Sequence, residues 1–340
     1  MKCYQISGPS GLDALHQADV PEPEIGPFEV LVEMSAWSLN FRDLSMPYGG
    51  YVGNDKVKKN PPMVPLSDGV GRVVATGDGV TRFQVGDRVA GIFFQRWLSG
   101  ELEASQIGSA LGGAIDGVLA ERVRFHEDGL VTPPAHLDDG QAACLPCAAV
   151  TAWQALTLGP LQAGQTVLLL GTGGVSIFAL QFVKQFGARA LITSSSNDKL
   201  ARARQLGADE TINYRQQPDW EAEVLGYTDG RGVDHVVEVG GAGTLEKSLA
   251  SCKVSGRVNL IGVLTGQPDQ NPSPMMALFK RITVQGIYVG SRDMFTAMNQ
   301  AISFNRMEPV IDRRFGFDEV PAAYQYLHSG AHFGKVVIEA

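Results

Sequence analysis

The segment Gly171-Thr172-Gly173-Gly174-Val175-Ser176 has the residue types and spacing to hold a phosphate. It follows the apolar run Thr166 to Leu170 and opens a helical stretch, Ile177 to Phe186. Gly171 allows a sharp strand-to-helix turn. Gly173 lets the backbone approach a pyrophosphate, whose charge would meet the free amides and positive dipole of the helix start. Ser176 stands where a third glycine is usual, and its small side chain still allows close helix-to-strand packing. The pattern predicts a dinucleotide site built on Gly171, Thr172, Gly173, Gly174 and Val175.

The end of the next strand selects the dinucleotide. A carboxylate there would hold both hydroxyls of an adenine ribose and repel a 2′-phosphate. The chain instead reads Thr193-Ser194-Ser195-Ser196-Asn197-Asp198-Lys199, with Tyr214-Arg215 after the following strand. Ser194 and Ser195 offer hydroxyl donors, Lys199 offers charge, and Tyr214 stands within reach. NADPH is therefore expected over NADH, the competing readings being a solvated helix start at Asp198 and Lys199 or an Asp198 turned inward.

Two kinds of element must position these residues. Residues 1 to about 125 read as short strands punctuated by Pro and Gly, with Glu29 to Met34 alternating and Gly86-Asp87 as a tight turn. A stretch richer in Ser, Gly and Glu, about 98 to 116, reads as a surface loop. From about 150, apolar runs alternate with helical stretches, the grammar of βαβ units, and six strands suit a doubly wound parallel sheet. A helix at Phe295 to Phe304 and a strand at Lys335 to Ile338 close the chain. The expectation is an α/β protein whose first half is β-barrel material.

At 340 residues the chain has length for two domains. Its net charge of −8 provides no global field toward nucleic acid or an anionic membrane. No apolar segment reaches the roughly 18 residues of a spanning helix, and the start lacks a secretory pattern. Only Cys3, Cys144, Cys147 and Cys252 occur, which suits a reducing compartment, the cytoplasm by default.

The barrel segment, Gly171-Thr172-Gly173-Gly174-Val175, Leu206-Gly207-Ala208-Asp209 and Phe333-Gly334-Lys335-Val336-Val337 fall in one order. In this the chain resembles the medium-chain dehydrogenase/reductase superfamily over essentially its whole length, and most of all its zinc-independent, quinone-oxidoreductase-like branch. The resemblance implies a GroES-like catalytic domain at 1–148 and 291–340, a Rossmann cofactor domain at 149–290, and an active site in the cleft between them. It also implies a small-molecule substrate and a homodimer joined along a cofactor-domain sheet edge, Ile282 to Val289.

Zinc-dependent members of that superfamily hold a catalytic metal through a Cys, a His and a third Cys or Asp. The matching positions here are Asn40, Ser67 and Cys147, and no cysteine lies within residues 88 to 143 for a four-Cys structural lobe. Asn and Ser are poor zinc ligands, so no metal is expected. Without one, reduction needs hydride from a nicotinamide and a donor or proton source opposite. The related pattern matches Asn40, Asp43, Gly49 and Tyr51, which implies that Asn40 faces the nicotinamide ribose and Tyr51 lines the substrate pocket as a candidate proton donor. Tyr48 is a second aromatic candidate, solvent water is the alternative donor, and Thr151 completes the cofactor-binding set.

Cys144-Leu145-Pro146-Cys147 lies in an apolar run and reads as small packing residues rather than a redox or metal pair. His235 sits inside an apolar strand pattern, and no histidines stand at metal spacing. The leading expectation is an NADPH-dependent reductase of electron-poor C=C bonds or quinones. An NAD(P)-dependent alcohol dehydrogenase and a non-catalytic dinucleotide-binding redox sensor are the alternatives.

Overall fold

In the computed structural model, which describes residues 1–50, 62–265 and 273–340, the chain divides into Met1–Val150 with Gly290–Ala340 and Thr151–Val289. The domain boundaries expected at 148/149 and 290/291 fall at 150/151 and 289/290. Tyr51 lies outside the described residues.

The first unit is organised by the long strand Glu29–Leu39, whose apolar positions Val30, Val32, Met34 and Trp37 enter the core. Trp37 fixes the strand further by donating its indole N–H to the Val118 carbonyl at 2.5 Å and packing on Phe317. Strands Asp68–Thr76 and Lys335–Glu339 flank it, both antiparallel. Their registers, Ser38 opposite Asp68 and Leu39 opposite Val336, bring three strand ends together. Asn40, Ser67-Asp68 and Lys335 consequently meet at one end of a seven-stranded sheet. The stretch 98–116 departs from the surface loop expected of it. It contains the short helix Ala104–Ile107 and buries Ser109, Ala110 and Leu111, because the Leu111 and Gly112 carbonyls accept hydrogen bonds from the buried Arg42.

The second unit holds a six-stranded parallel sheet. Its spatial order is Glu210–Asn213, Arg189–Ser194, Thr166–Leu169, Val233–Glu238, Cys252–Leu260 and Thr283–Gly286. The order reverses between Thr166–Leu169 and Val233–Glu238, and open α/β sheets bind ligands outside the carboxyl ends of their strands at such a point. Both strands there are buried along their length; Thr166–Leu169 is apolar after its first residue, whereas Val233–Glu238 buries Asp234, His235 and Glu238 among its valines. Thr283–Gly286 forms one sheet edge, shorter than the expected 282–289. No helix among the described residues is long and apolar enough to cross a membrane.

Candidate functional site

In the second unit, Gly171 ends the first strand with φ +72°, a conformation that strains any residue with a Cβ. Gly173 then caps the twelve-residue helix Gly174–Gln185, whose first amides have no intrahelical acceptor. Ser176 settles the departure from three glycines: its buried hydroxyl donates to the Leu170 carbonyl at 2.6 Å, tying the helix to the strand. Gly171 N–H donates to Thr193 Oγ1 at 3.2 Å, and Thr172 Oγ1 lies 3.4 Å from Ser194 Oγ. The first two strand ends are thus laced together around the Gly-rich turn.

Ser194 is itself buried, and its Oγ also accepts the Ser196 amide at 3.4 Å, so this hydroxyl shapes the turn rather than facing outward. Ser195 and Lys199 are half-exposed beside it, and Ser196 caps the helix Asn197–Gln205. Tyr214 is exposed at the third strand end, where its amide donates to the Ser194 carbonyl at 3.1 Å. Asp198 is also exposed. The structure therefore gathers Gly171–Val175, Ser194, Ser195, Lys199 and Tyr214 along three adjacent strand ends. Thr151 begins this unit and is buried.

Glu238 is the residue the motif reading passed over. It ends the fourth strand, fully buried, and Oε1 accepts from the amides of Gly240 (2.7 Å) and Gly241 (2.9 Å) and from Thr244 Oγ1 (2.7 Å). Ser248 donates to Oε2. One carboxylate thereby folds the loop on the other side of the sheet's switch point. Its signal in the sequence is an acid at the end of an apolar strand, followed by Gly240-Gly241 and hydroxyls six and ten residues on.

The first unit concentrates charge instead. Lys335, 3% exposed, donates to the Leu39 carbonyl and to Asn40 Oδ1, each at 2.6 Å. Asp68 is fully buried and accepts from Ser67 Oγ at 2.6 Å and the Cys147 amide at 3.2 Å. Burial raises the Asp68 pKa, against which Lys335 and these donors favour the charged form. Asp43 accepts the Asn40 amide at 2.7 Å through Oδ2, while Oδ1 has no hydrogen bond. Its burial is complete and pushes the carboxyl up to about 6, with Arg42, the Asn40 amide and Lys335 opposing and Asp68 reinforcing the rise. Arg42 is held by two carbonyls and lies 4.5 Å over the Phe93 ring. Tyr48 is not part of this cluster: it is 60% exposed, with its ring against Gly11.

Residues 26–135 match the family model for the alcohol dehydrogenase GroES-like domain, and residues 174–303 match the zinc-binding dehydrogenase model. A zinc-type alcohol dehydrogenase-like protein of Schizosaccharomyces pombe is 40% identical over 337 residues, covering 97% of this chain and 96% of the relative. The chain belongs to the medium-chain dehydrogenase/reductase superfamily. A crystal structure from Sinorhizobium meliloti 1021, bearing a provisional alcohol dehydrogenase name, superposes with a TM-score of 0.90 at 41% identity, covering 100% of this chain and 99% of the other. The 2-methylene-furan-3-one reductase of Solanum lycopersicum is 30% identical over 351 residues, covering 99% of this chain and 79% of the relative.

This medium-chain dehydrogenase/reductase is an oxidoreductase of a family that binds nicotinamide dinucleotides. Its donor set does not suit the catalytic zinc that the names of several relatives imply. Asn40 Oδ1 is taken by the Lys335 ammonium and Ser67 Oγ by Asp68, which leaves Cys147, whose thiol burial raises in pKa, as the one soft ligand of the three positions. Among the described residues no group of three or more His, Cys, Asp or Glu side chains could hold a metal ion. Cys144 is packed in the interior, within 3.6 Å of Ser38 Oγ, and burial pushes its thiol up to about 11. A thiol so held is a poor nucleophile at neutral pH.

Proposed function

We propose that this protein is a zinc-independent, NADPH-dependent reductase of electron-poor C=C bonds or quinones. The observation that carries the proposal is the occupation of the first metal-ligand position by an amide whose oxygen accepts from a buried lysine. Lysine supplies positive charge where a zinc-dependent relative uses a metal, yet it offers no open coordination position for a substrate alkoxide. An activated alkene does not need one, because the conjugated carbonyl takes up the charge.

NADPH, when bound, supplies the hydride. The chain's residues bind and orient it: the amides at the start of Gly174–Gln185 meet the pyrophosphate, and Ser195, Lys199 and Tyr214 surround the adenosine 2′-phosphate. No carboxylate stands at Ser194 or Ser195 to repel that phosphate. Hydride adds to the β-carbon, the oxygen gains the electron pair, and a proton then reaches the α-carbon. Tyr51 is the proposed donor of that proton, with Tyr48 or water as the alternative. The name of the tomato relative accords with this chemistry. The alcohol dehydrogenase names of other relatives favour a second reading, oxidation of an alcohol by NAD(P)+.

The proposal extends to a homodimer formed along the sheet edge Thr283–Gly286. Val284 is exposed on that strand, and the neighbouring helix Met275–Phe279 exposes Leu278 (66%) and Phe279 (79%). A sheet edge with apolar side chains open to water favours pairing with another strand. Purified protein incubated with NADPH and a panel of small enones and quinones tests the catalytic proposal. Oxidation of NADPH dependent on the acceptor is expected; alcohol oxidation with NADP+ or NAD+ in the absence of enone and quinone reduction would replace it with the second reading.

A further inference from the structure

We infer that Lys335 is a positioning residue that locks the Asn40 amide with its nitrogen as a donor toward an oxygen atom of the bound ligand. The inference rests on the reductase reading for the identity of that ligand, and on the first unit's geometry for everything else. A lysine ammonium has three donors and no acceptor, so only the oxygen of an amide can face it. Lys335 Nζ lies 2.6 Å from Asn40 Oδ1, and a second 2.6 Å bond to the Leu39 carbonyl prevents the ammonium from following the amide if it turned. The polarity of Asn40 is thereby fixed.

What remains is an NH2 group that completes no hydrogen bond. Asn40 is 8% exposed and its Nδ2 is buried without a hydrogen bond. The Asp68 carboxylate faces the amide, which favours its charged form, but no hydrogen bond between them is fully formed. Asp68 is already engaged by Ser67 and the Cys147 amide, and Asp43 by the Asn40 backbone. An unmade hydrogen bond on a buried donor is unfavourable, and it is recovered when an acceptor arrives. The lysine also draws electron density toward Oδ1, which makes Nδ2–H a stronger donor to an oxygen gaining negative charge.

Two acceptors share that chemistry: the carbonyl oxygen of the substrate as it becomes an enolate, and a sugar hydroxyl of the cofactor. Lys335→Met, Asn40→Leu, the double variant and Lys335→Arg separate them. If the acceptor is the enolate oxygen, each single variant lowers kcat about a hundredfold with NADPH Kd unchanged. If it is a sugar hydroxyl, Kd for NADPH rises about tenfold instead. In either case Lys335→Met has little further effect once Asn40 is Leu, because the lysine acts through the amide, and Lys335→Arg recovers part of the loss. Additive losses in the double variant, shared by Lys335→Arg and tracking a lowered Tm, would assign Lys335 to folding and overturn the inference. A wild-type protein inert toward enones and quinones would defeat the reductase reading alone. The inference is then judged by the ¹⁵N side-chain amide spectrum, in which the Asn40 pair, assigned by its loss in Asn40→Leu, must move in Lys335→Met and return toward its place in Lys335→Arg. A pair that does not move would contradict it.

Discussion

Two carboxylates, each fully buried, show how differently the two units build their sites. Glu238 in the second unit receives four hydrogen bonds and spends them on shaping a loop. Asp43 in the first accepts the Asn40 amide on Oδ2, leaves Oδ1 without a hydrogen bond, and its carboxyl is pushed up to about 6. The neighbouring Tyr324 hydroxyl, also buried, has no hydrogen bond either, and burial together with Asp43 raises its pKa. A satisfied acid is scaffold; an unsatisfied one keeps proton affinity in reserve. Under the proposed function the labour divides accordingly: the second unit would hold the cofactor with backbone amides and small side chains, and the first would manage charge and protons.

That division predicts which quantity each variant moves. Tyr51→Phe, on the first side of the comparison, should lower enone turnover about 10²- to 10⁴-fold while NADPH affinity stays nearly constant. Quinones should lose much less, since their hydroquinone anion can be protonated by water. Near-wild-type turnover on both would remove Tyr51 from the mechanism. Glu238→Ala, on the other side, strands two amides and two hydroxyls and should destabilise the fold by about 3 to 5 kcal/mol in urea unfolding. A loss below about 1 kcal/mol would mean that the loop does not depend on the carboxylate.

The pH dependence of stability separates the units by sign. The Asp43 carboxyl titrates higher in the folded chain (about 6) than its ordinary 3.8, so its contribution is fully present below about pH 3.8 and is lost as pH rises through 6. His235 in the second unit is pushed down to about 4 from 6.5, chiefly by burial and by Arg257. Its contribution is present above about pH 6.5 and is lost as pH falls through 4. Each amounts to about 3 kcal/mol at 1.36 kcal/mol per unit. Between pH 4 and 6 the two slopes oppose, so Asp43→Asn should leave stability rising with pH and His235→Asn should leave it falling. Profiles that keep the wild-type slope would refute these assignments. The smallest effect expected is on cofactor choice: Lys199→Ala should weaken NADPH about ten- to a hundredfold and spare NADH, as a charge-assisted phosphate contact of about 1.5 to 3 kcal/mol requires. Equal losses for both cofactors would assign Lys199 to folding.

Local pattern made the second unit legible. Apolar runs broken by Gly-rich turns announce the parallel sheet and the strand-to-helix turn at Gly171, because each depends on neighbours in the chain. Glu238 was within reach of the same logic, since its four donors lie within ten residues. The sequence does not show that Ser194 is buried, its hydroxyl lying beside Thr172 and accepting the Ser196 amide. The first unit hid its central contact. Asn40 is legible through its spacing to Asp43, Gly49 and Tyr51, but Lys335 lies 295 residues away and is joined to it only by the antiparallel register of two strands. In sequence Lys335 is the first residue of the closing strand, and nothing local says that it is buried.

Under the proposed function, side-chain charge, Lys335 against Asn40 and Asp68, stands where a zinc-dependent relative holds its metal. Elemental analysis of the active, purified protein before and after dialysis against a strong chelator tests it most directly, with NADPH-dependent enone reduction followed in parallel. The expected result is no stoichiometric zinc and undiminished activity after chelation. One zinc per chain, lost together with activity and restored by adding the metal back, would contradict it.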